Sequence, residues 1–154
     1  MNAPAASILV VDDEPDLRTL YELTLLREGY HVSTAATLQE AHEQLQTQRF
    51  DVVITDMRLP DGFGMELLHA LRDQQRPERC VVMTAYGSAE NAVEALRSGA
   101  FDYLTKPFEN LEELEAVIDK ALEMDRAYRE IADAKRTKAL QLMANAKVMM
   151  KTGD

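Results

Sequence analysis

Five short apolar runs, spaced by helical patterns, restrict the fold of this chain more than any other feature. Ile8–Val11, Asp51–Thr55 and Cys80–Met83 read as buried strands, and Tyr30–Thr34 as a weaker, alternating one. Phe101–Leu104 completes the set. Between them lie helix signals. Pro15 suits a first helical turn, Leu17, Leu20, Leu23 and Leu25 follow it, and Gly29 ends the run. Leu38, Ala41 and Leu45 mark a second helix, Gly64–Arg72 a third, and Ala89–Arg97, stopped by Gly99, a fourth. A fifth begins near Asn110. Strands that alternate with helices predict a parallel sheet covered on both faces, wound by right-handed crossovers.

Four of the five strands end alike. The first runs into Asp12-Asp13, the third into Thr55-Asp56, the fourth into Thr84 and the fifth into Thr105-Lys106. In a parallel sheet the carboxyl ends share one edge, where open α/β folds place their sites. Taken singly, Asp12 or Asp13 reads equally as a cap for the next helix, Asp56 as a turn residue and Lys106 as a surface charge. Taken together they are a chemistry. Two unit charges 4 Å apart repel by about 4 kcal/mol at an effective dielectric near 20, so three crowded carboxylates need cations. Hard carboxylate oxygens suit Mg²⁺. A metal, a lysine and a hydroxyl around one carboxylate neutralise the three oxygens of a moving phosphoryl group, with Asp56 as nucleophile.

The motifs "VVDDEPD", "TDMRLPDG", "MTAYGS" and "YLTKPF" closely resemble the receiver domain of bacterial two-component response regulators, over about residues 7–124. The resemblance implies a flavodoxin-like α/β fold with strand order 2-1-3-4-5. By position it makes Asp56 the phosphoacceptor and Asp13 a direct Mg²⁺ ligand. Asp12 then acts on the ion through water, and the backbone carbonyl of Arg58 is the third protein ligand. Thr84 and Lys106 become the phosphate partners, Thr84 and Tyr103 the switch pair. It also implies a cis peptide before Pro107, turning Lys106 inward. A histidine kinase would donate the phosphoryl group, and the face of helix four, strand five and helix five would repack to control an output domain or partner. Arg58 and Tyr86, two residues past Asp56 and Thr84, are expected to flank the hydrolytic water and tune dephosphorylation.

The wording "DMRLPDGFGMELL" and "TAYGSAENAVEALRSGAFDYLTKPF" is closest to the NtrC-type subclass, whose members join the receiver to an ATPase working with an alternative sigma factor. No G-x-x-x-x-G-K-[ST] occurs here, so the chain is expected to be either a receiver with its linker or a stand-alone regulator. A phosphorylation-independent dimerisation module is the further alternative. A haloacid-dehalogenase-like phosphatase needs D-x-D after the first strand, and "DDEPD" lacks that spacing; a dinucleotide fold needs G-x-G-x-x-G there, and residues 12–17 hold no glycine.

The division expected is an arm over 1–6, a receiver over 7–124 and an extended helix over 125–154. Residues 1–124 carry 23 acidic and 10 basic side chains, and 125–154 carry 4 and 7. An acidic body repels phosphates, so no direct nucleic-acid binding is expected. Between Pro107 and Gly153 there is neither Pro nor Gly, and about 40 helical residues would span roughly 60 Å. Ala121, Met124, Tyr128, Ile131 and Lys135, then Ala139, Leu142, Ala146 and Met149, form a seam with one stutter, the pattern of a homodimerising coiled coil. Cys80 is the single cysteine and reads as a buried structural thiol. His31, His42 and His69 lack metal-ligand spacing. No signal-peptide pattern and no membrane-length apolar run is present, so a cytoplasmic protein is expected.

Overall fold

The computed structural model describes the backbone of residues 5–85, 89–106 and 111–151, and their side chains apart from 85, 89, 124–133, 136 and 146–151. In chain order the elements are β1 (Ser7–Val11), α1 (Pro15–Arg27), β2 (His31–Ala35), α2 (Leu38–Thr47), β3 (Val52–Asp56), β4 (Arg58–Leu59), β5 (Gly62–Phe63), α3 (Gly64–Asp73), β6 (Arg79–Ala85), α4 (Ala89–Arg97), β7 (Asp102–Lys106) and α5 (Glu112–Lys151). The main sheet is parallel, in the order β2-β1-β3-β6-β7. With the small antiparallel pair β4–β5 set apart, this is the expected flavodoxin-like order 2-1-3-4-5. β6 runs past the expected Met83 because Thr84 and Ala85 keep pairing, with Thr105 and Lys106.

Ile8 to Val11 and Val52 to Ile54 are fully buried, as central strands of a covered sheet require. Successive side chains point to opposite faces. Leu9, Val11, Val53 and Val82 join Ala41 and Leu45 of α2 and Leu67, Leu68 and Leu71 of α3 in one apolar cluster. Leu25 of α1 and Leu114, Ile118 and Ala121 of α5 are also fully buried. Tyr30 Oη donates to Asp119 at 2.8 Å, tying the start of α5 to the chain before β2. Cys80 is buried, and burial pushes its thiol up to about 12, as a structural thiol requires.

Helix α1 departs from its leucine pattern. Leu25 is buried as expected, but Leu20 and Leu23 are exposed, as is Leu26, and Tyr21 and Thr24 are buried instead. Leucines occur around most of this helix, so their spacing alone did not reveal the inward face.

At the opposite end of the sheet, Arg76 Nη2 donates to Glu78 Oε2 at 2.6 Å and to the Gln48 carbonyl at 3.0 Å, while Arg76 Nη1 donates to the Leu45 carbonyl. Glu78 also accepts from the Phe50 N–H at 3.1 Å. This clamp ties the start of β6 to the end of α2. Glu78→Ala would leave the Arg76 guanidinium without its carboxylate partner and is expected to destabilise the fold by about 3 kcal/mol in urea denaturation. Burial alone pushes the Glu78 carboxyl up, but the bonds from Arg76 and Phe50 outweigh it and hold it below the ordinary 4.5. Its contribution is therefore complete above 4.5 and fades as pH falls through the lower folded value. The difference between wild type and Glu78→Ala should shrink in acid over that window.

The chain divides into two units, Met1–Ala121 and Leu122–Asp154. The described residues of the second belong to the distal part of α5, a helix of 40 residues that begins at Glu112 with three acidic residues in its first turn. Leu140, Leu142 and Met143 on it are exposed. Among the described residues no helix is long and apolar enough to cross a membrane.

Candidate functional site

Strand register assembles the site. Val11 pairs with Thr55 and Asp56 with Met83, so Asp12, just beyond β1, reaches the same level of the sheet as Asp56 at the end of β3. One carboxylate oxygen from each of Asp12, Asp13 and Asp56 lies within 4.8 Å of the others. Asp12 is fully buried, Asp56 half-buried and Asp13 exposed. Lys106, from the end of β7, sends Nζ to Asp12 Oδ2 at 2.8 Å and to Asp56 Oδ2 at 3.2 Å, with Glu14 Oε1 at 3.9 Å.

Asp12 is fixed from several sides. Its Oδ1 accepts from the Glu14 N–H at 2.9 Å, and Arg18 Nη1 donates to its main-chain carbonyl at 2.7 Å. Gly64, at the start of α3, is required for a steric reason: a Cβ there would stand 2.2 Å from the Asp56 carbonyl oxygen. The helix thereby approaches the strand end closely, and Gly64 N–H donates to the Met57 carbonyl at 2.8 Å.

The pocket is short of positive charge. Burial, with Asp12 and Asp13 adding to it and Lys106 opposing, raises the Asp56 carboxyl above its ordinary value. Burial by itself would lower the Lys106 ammonium, but its bond to Asp12 and the charges of Asp56 and Asp12 outweigh it and raise it. Lys106 pairs with Asp12 and Asp56 and lies near Glu14, Asp13 adds a further carboxylate, and Arg18 reaches only the Asp12 main-chain carbonyl. The donor set, three carboxylate oxygens within 4.8 Å of one another at one rim, is the hard-oxygen kind that suits a divalent ion such as Mg²⁺.

The remaining expected residues fall as follows. Thr84 is buried, and its hydroxyl donates to the Leu104 carbonyl at a long 3.4 Å rather than to the acid cluster. Tyr103 sits on β7 with 38% of its surface exposed. Arg58 lies on β4, two residues past Asp56, with its side chain exposed. Tyr86 and the Lys106–Pro107 peptide lie outside the described residues. Two residues near the site were not anticipated. Glu14 approaches Lys106, and Tyr21, buried on α1, has its hydroxyl pushed up to about 12 by burial, with Lys106 opposing and Asp12, Asp56 and Glu14 reinforcing the rise. Glu14 adjoins the acid pair in sequence, which was a usable signal; Tyr21 was hidden by the leucines around it.

The sequence signature of the response regulator receiver domain matches residues 8–119. The chain belongs to the response regulator receiver family. The receiver is 50% identical over 100 residues to "Response regulator protein PilR" of Pseudomonas aeruginosa, covering 64% of this chain and 22% of that protein. The crystal structure of NtrX from Brucella abortus superposes with a TM-score of 0.79 at 35% identity, covering 84% of this chain and 29% of that one. The beryllofluoride-activated NtrC4 receiver domain dimer gives a TM-score of 0.72 at 35% identity, covering 77% and 97%. These relatives agree with the NtrC-type subclass expected from the motif wording. The receiver spans between 22% and 34% of the length of the first curated relatives it matches.

Proposed function

We propose that this receiver accepts a phosphoryl group on Asp56 from a sensor histidine kinase and uses it to switch an output domain or partner in transcription regulation. The observation that carries the reading is the convergence of Asp12, Asp13, Asp56 and Lys106 at one rim. An Asp56 carboxylate oxygen attacks phosphorus, the P–N bond of the donor phosphohistidine breaks, and the imidazole leaves with its electron pair. The product is an acyl phosphate, later hydrolysed by water. Asp13, Asp56 and the Arg58 carbonyl would hold Mg²⁺ directly, and Asp12 through water. Bound there, Mg²⁺ supplies charge neutralisation for the phosphoryl oxygens. Lys106 leaves its contact with Asp56 to pair with a phosphoryl oxygen. Trapping with hydroxylamine tests the assignment: the hydroxamate should map to the peptide that contains Asp56, and a label on another carboxylate would refute it.

The switch follows from charge. Phosphorylation adds nearly two negative charges and three strong acceptors. The Thr84 hydroxyl exchanges its long bond to Leu104 for a phosphoryl oxygen, and Tyr103 turns from its half-exposed position into the vacated space. That repacks the face of α4, β7 and α5, on which Val93 and Leu96 of α4 and Tyr103 of β7 are exposed. A homodimer through the α4 and α5 face and the distal part of α5 is the assembly we assign. Exposed Leu142 on the expected seam supports it. The side chains of Met124, Tyr128, Ile131, Ala146 and Met149 lie outside the described set. Sedimentation with and without residues 125–154 tests the tail's share; a monomer in both forms would refute it. This chain is assigned to the cytoplasm, with no direct contact to nucleic acid.

Arg58 and Tyr86 are assigned to shielding the acyl phosphate from water. Arg58→Ala and Tyr86→Ala should each shorten the phosphoryl half-life severalfold, read by loss of label after donor removal. Unchanged half-lives in both variants would rule the shielding out.

A further inference from the structure

The segment after Asp56 is held to a second element by a contact that the phosphoryl chemistry does not use. The two carboxylate oxygens of Asp61 accept the main-chain N–H groups of Leu38 at 2.8 Å and Gln39 at 3.0 Å. These are the first two residues of α2, whose N–H groups have no partner within the helix. The neighbouring cap is already complete, because Thr37 Oγ1 accepts from the Glu40 N–H at 3.1 Å and Glu40 accepts from the Ala36 N–H at 2.7 Å. Asp61 therefore adds a negative charge and two charge-assisted bonds at the positive end of a helix. Although it stands in solvent, those bonds hold its carboxyl below the usual carboxylate range.

Packing supports the same attachment independently. A Cβ at Gly62 would stand 2.6 Å from Leu38 Cδ1 and 2.2 Å from Glu66 Oε2, at a φ of +153° that side chains other than glycine rarely adopt. The turn is thus seated against the first residue of α2. On the near side, Leu59 and Leu38 are buried in the same apolar cluster. Phe63 N–H donates to Glu66 Oε2 at 2.8 Å, which fixes β5 to α3. These anchors directly follow Arg58, the first residue of β4.

We propose that Asp61 is a positioning residue for the cation site. It pins the β4–β5 turn to the N-terminus of α2 and so holds the Arg58 main chain at the distance its carbonyl needs to reach Mg²⁺. The inference rests on the reading of Arg58 as a ligand, and it predicts an effect on metal affinity rather than on the phosphoryl step. Removing such an outer support typically weakens metal binding by roughly ten- to a hundredfold.

The test compares wild type, Asp61→Ala and Asp61→Asn. Three quantities are measured: the Mg²⁺ concentration for half-maximal phosphorylation by acetyl phosphate, the rate at saturating Mg²⁺, and hydrogen exchange of the Leu38 and Gln39 amides. Mn²⁺ binding without any phosphodonor gives a fourth. Asp61→Ala should raise the half-saturating Mg²⁺ by roughly tenfold, leave the saturating rate near wild type and speed exchange at both amides. Asp61→Asn, which keeps one acceptor oxygen, should fall between. Freed amides with wild-type metal dependence in both variants would overturn the proposal. So would a loss of affinity in Asp61→Ala that Asp61→Asn does not partly restore, since that marks general loosening. A wild-type chain that binds Mn²⁺ yet takes no phosphoryl group would sink the proposed function while leaving the metal arm able to judge Asp61. A wild type that binds neither ion would overturn both.

Discussion

Lys106→Ala is expected to lower the stability of the metal-free protein by about 3 kcal/mol and to slow phosphorylation by acetyl phosphate by a factor of about 10². The ammonium stands 2.8 Å from Asp12 and 3.2 Å from Asp56, and both carboxylates are largely removed from water. Without it, two acids face one another with nothing between them. Breaking a buried pair by deleting one partner leaves an uncompensated charge, and that, more than the lost attraction, sets the cost. Asp56 then gains a proton more readily than in wild type. The destabilisation should therefore be largest at neutral pH and shrink as pH falls and the acids protonate. Saturating Mg²⁺ should restore part of the stability, because a divalent ion neutralises the same oxygens. It should not restore the rate, because the phosphoryl oxygen that pairs with Lys106 in the transition state stays unmatched. Urea denaturation in EDTA and in Mg²⁺, with initial rates from the same samples, checks all of these; equal rates in wild type and variant would show that Lys106 has no role in transfer.

Asp56→Asn should abolish phosphoryl acceptance and, in EDTA at neutral pH, make the fold more stable than wild type. The sign follows from the raised Asp56 carboxyl. The folded protein keeps the Asp56 proton at pH values where the unfolded chain, with an ordinary value of 3.8, has released it. Stability therefore falls as pH climbs from 3.8 through the higher folded value, and the full penalty persists at neutral pH. A neutral amide of the same shape removes that penalty. The advantage should vanish at the acid end of the window, where wild-type Asp56 is itself neutral. Magnesium should reverse the order, since a hundredfold excess over Kd stabilises a binding-competent fold by about 2.7 kcal/mol and the variant lacks one ligand. Thermal melts across pH, with and without Mg²⁺, read the crossing. A wild type more stable than Asp56→Asn in EDTA at neutral pH would contradict a cation-poor pocket.

The rim was legible because a parallel sheet converts sequence into position without further information. Four of the five apolar runs ended in polar residues, and parallel pairing carried Asp12, Asp56, Thr84 and Lys106 to one edge. Register, not propensity, did this. The β4–β5 pair was not legible, since strands of two residues are too short to show any periodicity. The Asp61 contact was equally hidden, because its partners, Leu38 and Gln39, are remote in sequence and nothing local marks a helix end capped from elsewhere. Tyr21 shows the limit of pattern reading on one helix. With Leu17, Leu20, Leu23, Leu25 and Leu26 distributed around α1, the leucine pattern located Leu25 but not Tyr21 and Thr24, which the fold also buries.

The most direct measurement is the intact mass of the wild-type chain and of Asp56→Ala after incubation with acetyl phosphate and Mg²⁺, each beside an EDTA control. A rim that gathers a divalent ion around Asp56 predicts one added phosphoryl group on the wild type with Mg²⁺, and none on the variant or in EDTA. A wild type that stays unmodified under excess donor and Mg²⁺, or a variant that is labelled equally well, would contradict it.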